Sequence, residues 1–256
     1  MNLTKQKILG VGITIDSEER VLEYIEEILT KTNKKISIVT PNPEILVRAS
    51  RDPEFRELLN SADIALPDGV GVVLGSYLLG KQPQVRIAGV DFMEKLCSLT
   101  SRLNSNLENS KKSASEVSKQ LVMTGFLGGQ PHVAEETAEC LQQKYPGVRV
   151  GFAKNEWPEA KNIPSLGVLF VAFGAPRQEK WIHDNLSKIP VRVVMAVGGS
   201  FDFISGRVIR APKIIRVIGF EWLFRLLIQP WRWKRQLALV EFLRLILLEK
   251  LKKEKK

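Results

Sequence analysis

Apolar residues follow two rhythms along this chain. Short uninterrupted runs, the mark of strands covered on both faces, alternate with longer stretches in which apolar positions recur at helical spacing. Lys7 to Ile15 reads as the first strand, and Asp16-Ser17-Glu18-Glu19 as a helix start in which Asp16 caps and Glu19 reaches back. Val21, Leu22, Ile25, Ile28 and Leu29 then line one face of that helix. Ile36 to Val39 predicts a strand ending at Thr40, and Asn42-Pro43 the N-cap and first position of a new helix. Asp63 to Leu66 predicts another strand, Asp68-Gly69 its closing turn, and Val70 to Leu79 a helix.

Between Ser98 and Lys119 the residues turn to Ser, Asn, Lys and Glu, which predicts an exposed loop or a solvated helix. A second series follows: a strand from Leu121 to Gly125, a glycine-rich turn from Gly125 to Gly129, a helix from Val133 to Tyr145 and a strand from Val148 to Phe152. Val168 to Phe173 is wholly apolar and so predicts a central strand, with Pro176 opening a helix at its end. Val191 to Val197 predicts the last strand, running into Gly198-Gly199-Ser200. Strand alternating with helix throughout predicts an α/β fold, a Rossmann-like, doubly wound, mostly parallel sheet.

From Arg207 the rhythm changes. Apolar residues from Ile214 to Ile228 are broken by Arg216 and Arg225, Pro230-Trp231-Arg232-Trp233-Lys234-Arg235 interrupts them, and Leu237 to Leu248 predicts a further helix before a lysine tail. The chain thus divides into a core, residues 1–206, and a basic helical appendage, residues 207–256. Its net charge of +10 lies wholly in the appendage, which holds 14 Lys/Arg against 4 Asp/Glu, so the core is neutral. Three of the five tryptophans also lie between Trp222 and Trp233. Indoles beside basic side chains on short apolar helices suit a membrane interface, and favour an anionic membrane surface over nucleic acid as partner.

At 256 residues the chain holds one sizeable core plus an appendage. Cys97 and Cys140 lack metal or redox spacing and predict free thiols in a reducing compartment. The N-terminus shows no leader pattern, and no run reaches the length of a spanning helix.

In a parallel sheet ligands bind outside the carboxyl ends of the strands. Thr40, Asn42, Asp68, Gly125, Gly128, Gln178 and Gly199 all fall at predicted strand ends, and Asp68 is the candidate for acid–base chemistry. Bland readings stand beside these: Pro67-Asp68-Gly69 is a common turn sequence, Thr40 and Asn42 suit a strand end and an N-cap, and the glycine turn lacks dinucleotide spacing. No Asp-x-Asp pair or other metal motif occurs, so no metal or other cofactor is expected. Were the ligand a nucleotide sugar, its diphosphate would then be met by helix N-termini and arginines.

Taken together, Thr40-Pro-Asn42-Pro-Glu44, Leu66-Pro-Asp68-Gly69-Val-Gly71, Arg86-Ile-Ala-Gly89-Val-Asp91, Gly174-Ala-Pro176-Arg177-Gln178-Glu179, Gly198-Gly199-Ser200-Phe-Asp202 and Glu221-Trp222-Leu-Phe-Arg225 through Arg235 resemble the WecG/TagA/CpsF family of glycosyltransferases. The resemblance implies inverting transfer of N-acetylmannosamine, or a related sugar, from a UDP-sugar donor to a polyprenyl diphosphate-linked N-acetylglucosamine, in cell-surface polysaccharide synthesis at the cytoplasmic face of the plasma membrane. It implies that Asp68 is the base, that Thr40, Asn42, Arg86 and Gln178 surround donor and acceptor, and that Arg225, Arg232 and Arg235 close over the diphosphate. A rival expectation is a membrane-tethered module that binds a nucleotide sugar without catalysis, and self-association into a homo-oligomer stays open.

Overall fold

The computed structural model describes residues 2–81, 85–110 and 113–254, without the side chains of Lys119, Arg232, Lys234, Arg235, Lys253 and Glu254. The chain opens on a hairpin, β1 (Lys5–Ile8) and β2 (Val11–Thr14), which forms its own two-stranded sheet. The single strand expected from Lys7 to Ile15 is therefore two. Leu9 and Gly10 both take positive φ, 48° and 83°, the twist a two-residue hairpin turn requires. Leu-Gly lacks the Asn or Asp that usually signals such a turn.

Helix α1 (Glu18–Lys31) is capped by Ser17, whose hydroxyl accepts from the Arg20 N–H, rather than by Asp16. Asp16 instead accepts from the Thr4 N–H and pairs with Arg20. Strand β3 (Ile36–Val39) is followed by α2 (Pro43–Arg51), α3 (Pro53–Ser61) and the short β4 (Ile64–Ala65). Helices α4 (Val70–Leu78), α5 (Gly89–Glu108) and α6 (Ala114–Gln120) then lead to β5 (Met123–Gly128), α7 (Val133–Lys144) and β6 (Arg149–Lys154). The core closes with β7 (Leu166–Ala172), α8 (Arg177–Asn185), β8 (Val191–Ala196) and α9 (Ser200–Ile204). Beyond it run α10 (Lys213–Val217), α11 (Glu221–Ile228), a 3-10 turn at Pro230–Arg232, and α12 (Trp233–Glu254).

Six strands pair in the order β4-β3-β8-β7-β5-β6, every pair parallel. Alternate residues of each strand feed opposite layers. Val168, Phe170, Val193 and Met195 pack with α1, α5 and α7, while Leu169, Val171, Val194 and Ala196 pack with the hairpin, α2, α3 and α8. This two-sided burial is why the strands read as unbroken apolar runs.

The polar stretch after Ser98 is a correction to the expected loop or solvated helix. Its first part is the second half of α5, with Leu99, Leu103 and Asn104 buried. The Asn104 amide donates to the Val122 and Gly147 carbonyls and accepts from the Val122 N–H, so a polar residue does core work here. The last helix also departs from expectation. Longer than Leu237 to Leu248, it lies against α2 and α4 and buries Phe242 and Ile246 fully in the second layer. A Cβ at Gly75 would stand 2.7 Å from Phe242, so glycine there sets how closely the two helices approach. Glu241 pairs with Arg51 at 2.9 Å, and Glu249 accepts from the Leu9 N–H at 3.0 Å.

Candidate active site

The carboxyl ends of β3, β4, β5, β7 and β8 open onto one edge of the sheet, where Asp68 sits just beyond β4. Its N–H donates to the Pro41 carbonyl at 3.0 Å, tying the ends of β3 and β4 together. Gly69 follows at φ +89°, a turn that costs a side-chain-bearing residue strain and swings the chain into α4. The Asp68 carboxylate accepts from the Gly89 N–H in the first turn of the twenty-residue α5. Although part of its surface is open, the crowding around it withholds water and pushes its carboxyl up to about 6. Arg86 opposes this rise, while Glu221 and Asp91 add to it. Thr40 is buried at the end of β3, its methyl and hydroxyl lying against Gly89.

Around Asp68 lies a cluster of charge that sequence reasoning left largely unassigned. Arg86 donates to Glu221 at 2.7 Å and to the Arg216 carbonyl at 2.7 Å. Arg210 forks onto both oxygens of Asp91, at 2.7 and 2.8 Å, and Arg216 reaches Asp91 at 3.3 Å. These arginines hold the Asp91 carboxyl below its ordinary value despite burial. The Nε atoms of Arg86 and Arg216 are buried without a hydrogen-bond partner, while that of Arg210 lies 3.5 Å from Glu221, which leaves the cluster some donor capacity beyond what its carboxylates use. Asp91 lies 119 positions before Arg210; Asp91 and Glu221 fall inside the blocks that carry the resemblance, whereas the excess of basic residues after Arg207 was the only signal for Arg210 and Arg216.

On the same edge a cavity of about 390 Å³ opens beyond β5, β7 and β8, lined among others by Gly129, Trp157, Phe173, Arg177, Gly199 and Asp202. Trp157 stacks on Phe173 with ring centres 4.5 Å apart, and Arg177 lies over the indole at 5.7 Å. The Arg225 guanidinium stands over the Phe203 ring at 4.7 Å and approaches Gly199. Strand β3 alone separates β4, which leads to Asp68, from β8 at the border of the cavity, about 10 Å at ordinary strand spacing. A larger hollow of about 730 Å³ lies at the opposite edge, against the first residues of β5, β7 and β8. Its basic groups bond main-chain carbonyls, Lys35 those of Ser187 and Ile189, and Arg192 that of Leu29. None of the candidate residues faces that hollow, so its size does not make it the site.

Other candidates have structural work. Asn42 caps α2 by accepting from the Ile45 N–H at 3.0 Å. Gln178 is buried, its amide oxygen accepting from Gly174 N–H at 3.2 Å and Gly198 N–H at 3.0 Å, its amide nitrogen donating to Glu179. It thereby braces the loops after β7 and β8. The glycine turn expected to begin at Gly125 is corrected: β5 runs to Gly128, and Gly125 lies inside it where Leu166 and Leu169 fill the space a side chain would need. Gly128 ends the strand at φ +99° against the Ala172 backbone, and Gly199 opens α9 at the cavity. Arg232 and Arg235 lie at the start of α12 and in the turn before it, with side chains outside the described residues.

A family model described as the glycosyl transferase WecG/TagA/CpsF family matches residues 6–256. Two relatives carry the name N-acetylglucosaminyldiphosphoundecaprenol N-acetyl-beta-D-mannosaminyltransferase. The protein from Bacillus spizizenii is 36% identical over 241 residues, covering 91% of this chain and 87% of the relative. That from Bacillus subtilis is 32% identical over 240 residues, with the same two coverages, 91% and 87%.

Proposed function

The chain belongs to the WecG/TagA/CpsF family of glycosyltransferases, and we propose that it transfers N-acetylmannosamine from a UDP-sugar to a polyprenyl diphosphate-linked N-acetylglucosamine, with Asp68 as general base. The names of the two Bacillus relatives support the sugar and the acceptor. The observation that carries the role of Asp68 is a carboxyl at the binding edge of the sheet whose proton affinity is raised to about 6, near the range a general base needs.

In this reading the nucleoside occupies the cavity beside Trp157 and Arg177, and the diphosphate and sugar run along the edge toward Asp68. The acceptor hydroxyl oxygen attacks the anomeric carbon as Asp68 takes its proton, and the bond from that carbon to the diphosphate oxygen breaks. Attack opposite the leaving group inverts the configuration. Arg225, with Arg232 and Arg235 from the turn before α12 and its first residues, neutralises charge growing on the departing UDP. The reaction needs no metal ion in this account. Because the acceptor is a lipid, the protein works at a membrane surface, and no helix among the described residues is long and apolar enough to cross one.

The test is donor-dependent UDP release with a short-chain polyprenyl diphosphate-N-acetylglucosamine acceptor, run over several UDP-sugars and with Asp68→Asn. Acceptor-dependent release with UDP-N-acetylmannosamine alone is expected, lost in the variant. Faster release with a different sugar would replace the donor, and undiminished turnover in Asp68→Asn would remove the base.

A further inference from the structure

Helix α4, Val70–Leu78, contains no acidic or basic residue. Its inner face, Val72, Gly75 and Ser76, is buried beside α2 and α12. The outer face repeats Val70, Leu74 and Tyr77 at helical spacing, and they are 42%, 44% and 70% exposed. Helix α10 presents a second apolar strip, with Ile214 77% and Val217 76% exposed. The strips adjoin, because a side chain at Gly219, just past α10, would overlap Val70. Two exposed apolar strips that meet at Val70 and Gly219 are more than the scattered exposed residues any protein carries.

We propose that the α4–α10 strip is a bilayer-contacting face, which lies at the headgroup boundary of an anionic membrane and brings Asp68 to the lipid-borne acceptor. The proposal extends the reading of a membrane-borne acceptor and rests on it. Charge selects the occupant. Neither helix carries an acid, and α10 adds exposed Lys213 beside its apolar residues, while its Arg216 is already paired with Asp91. Anionic headgroups complement that pattern, whereas a second copy docked face to face about a two-fold axis would set the same basic residues against each other. Position gives the surface its use: Val70 lies two residues after Asp68, so an acceptor anchored in the bilayer would present its sugar directly at the base. The basic, tryptophan-rich sequence after Arg207 points to membrane contact by that segment alone. Here half of the contact surface belongs to the catalytic core, which orients the crevice as well as tethering it.

The test uses the full chain and two double variants, Leu74→Gln with Tyr77→Gln, and Ile214→Gln with Val217→Gln. Each is sedimented with vesicles of phosphatidylglycerol and phosphatidylethanolamine, and assayed on a water-soluble short-chain acceptor and on a long-chain acceptor embedded in those vesicles. Each pair should lower vesicle partitioning about tenfold and slow turnover on the embedded acceptor, with turnover on the soluble acceptor within about twofold of the parent. A parent that stays in the supernatant, or variants that partition as it does, would overturn the proposal. Variants that bind vesicles normally but turn a dimer into a monomer would give the strip to a second copy. Asp68→Asn separates the two readings: it should bind vesicles like the parent and be inactive, so an active variant would refute the base and leave the surface standing.

Discussion

Arg86 and Glu221, 135 positions apart in the chain, meet with Nη2 and Oε2 at 2.7 Å beside the carboxyl of Asp68. One pushes the proton affinity of that carboxyl down and the other pushes it up. Since a general base works deprotonated, kcat/KM should fall as pH drops through about 6. Arg86→Met should move this acid limb upward, and Glu221→Gln should move it downward. Limbs that shift together, or stay where the parent has them, would show that the pair does not tune Asp68.

Asp68→Asn should lower turnover by about 10²–10⁴, the usual worth of a general base. It should do so without loss of stability. The folded carboxyl binds its proton up to about 6 against 3.8 ordinarily, so stability declines as pH rises between those values and stays lower above them. By linkage that decline is at most about 3 kcal/mol. Asparagine has no charge to desolvate, so the variant should unfold at an equal or higher urea concentration near pH 7. A large drop in midpoint would mean that the charged carboxylate stabilises the fold.

Gln178→Ala should cost about 1–3 kcal/mol, because the Gly174 and Gly198 N–H groups lose their acceptor in a buried setting. Urea unfolding measures the loss, and a higher donor KM should accompany it as the loops bordering the cavity loosen. An unchanged midpoint would show that other contacts hold those loops.

Phe242→Ala should destabilise the core by about 3–5 kcal/mol, since the ring is fully buried against Gly75. Unfolding followed by circular dichroism gives the change directly. A loss near zero would mean that α12 unfolds independently of the sheet and helices it covers.

Turnover should persist in EDTA, since guanidinium groups supply the positive charge over the leaving diphosphate. Activity abolished by chelation and restored by added Mg²⁺ would hand that task to a cation.

Local patterning determined much of this protein by itself. Unbroken apolar strands could only be central to a parallel sheet, and Asn42-Pro43 could only begin a helix well, because both depend on residues adjacent in the chain. The same reasoning put Asp68 at a strand end, since a turn sequence after an apolar run is a short-range signal. It failed where distant segments meet. Asn104 looked like part of a solvated stretch because its partners, Val122 and Gly147, lie far along the chain. Gly125 looked like part of a turn because the leucines that require its small size are on another strand. Only tertiary structure brought Arg210, Arg216 and Glu221 to Arg86 and Asp91, and only it buried Phe242 while leaving Tyr77 in the open. The physical reason is that propensity and capping act within a few residues, whereas charge pairing and burial depend on which surfaces the folded chain brings together.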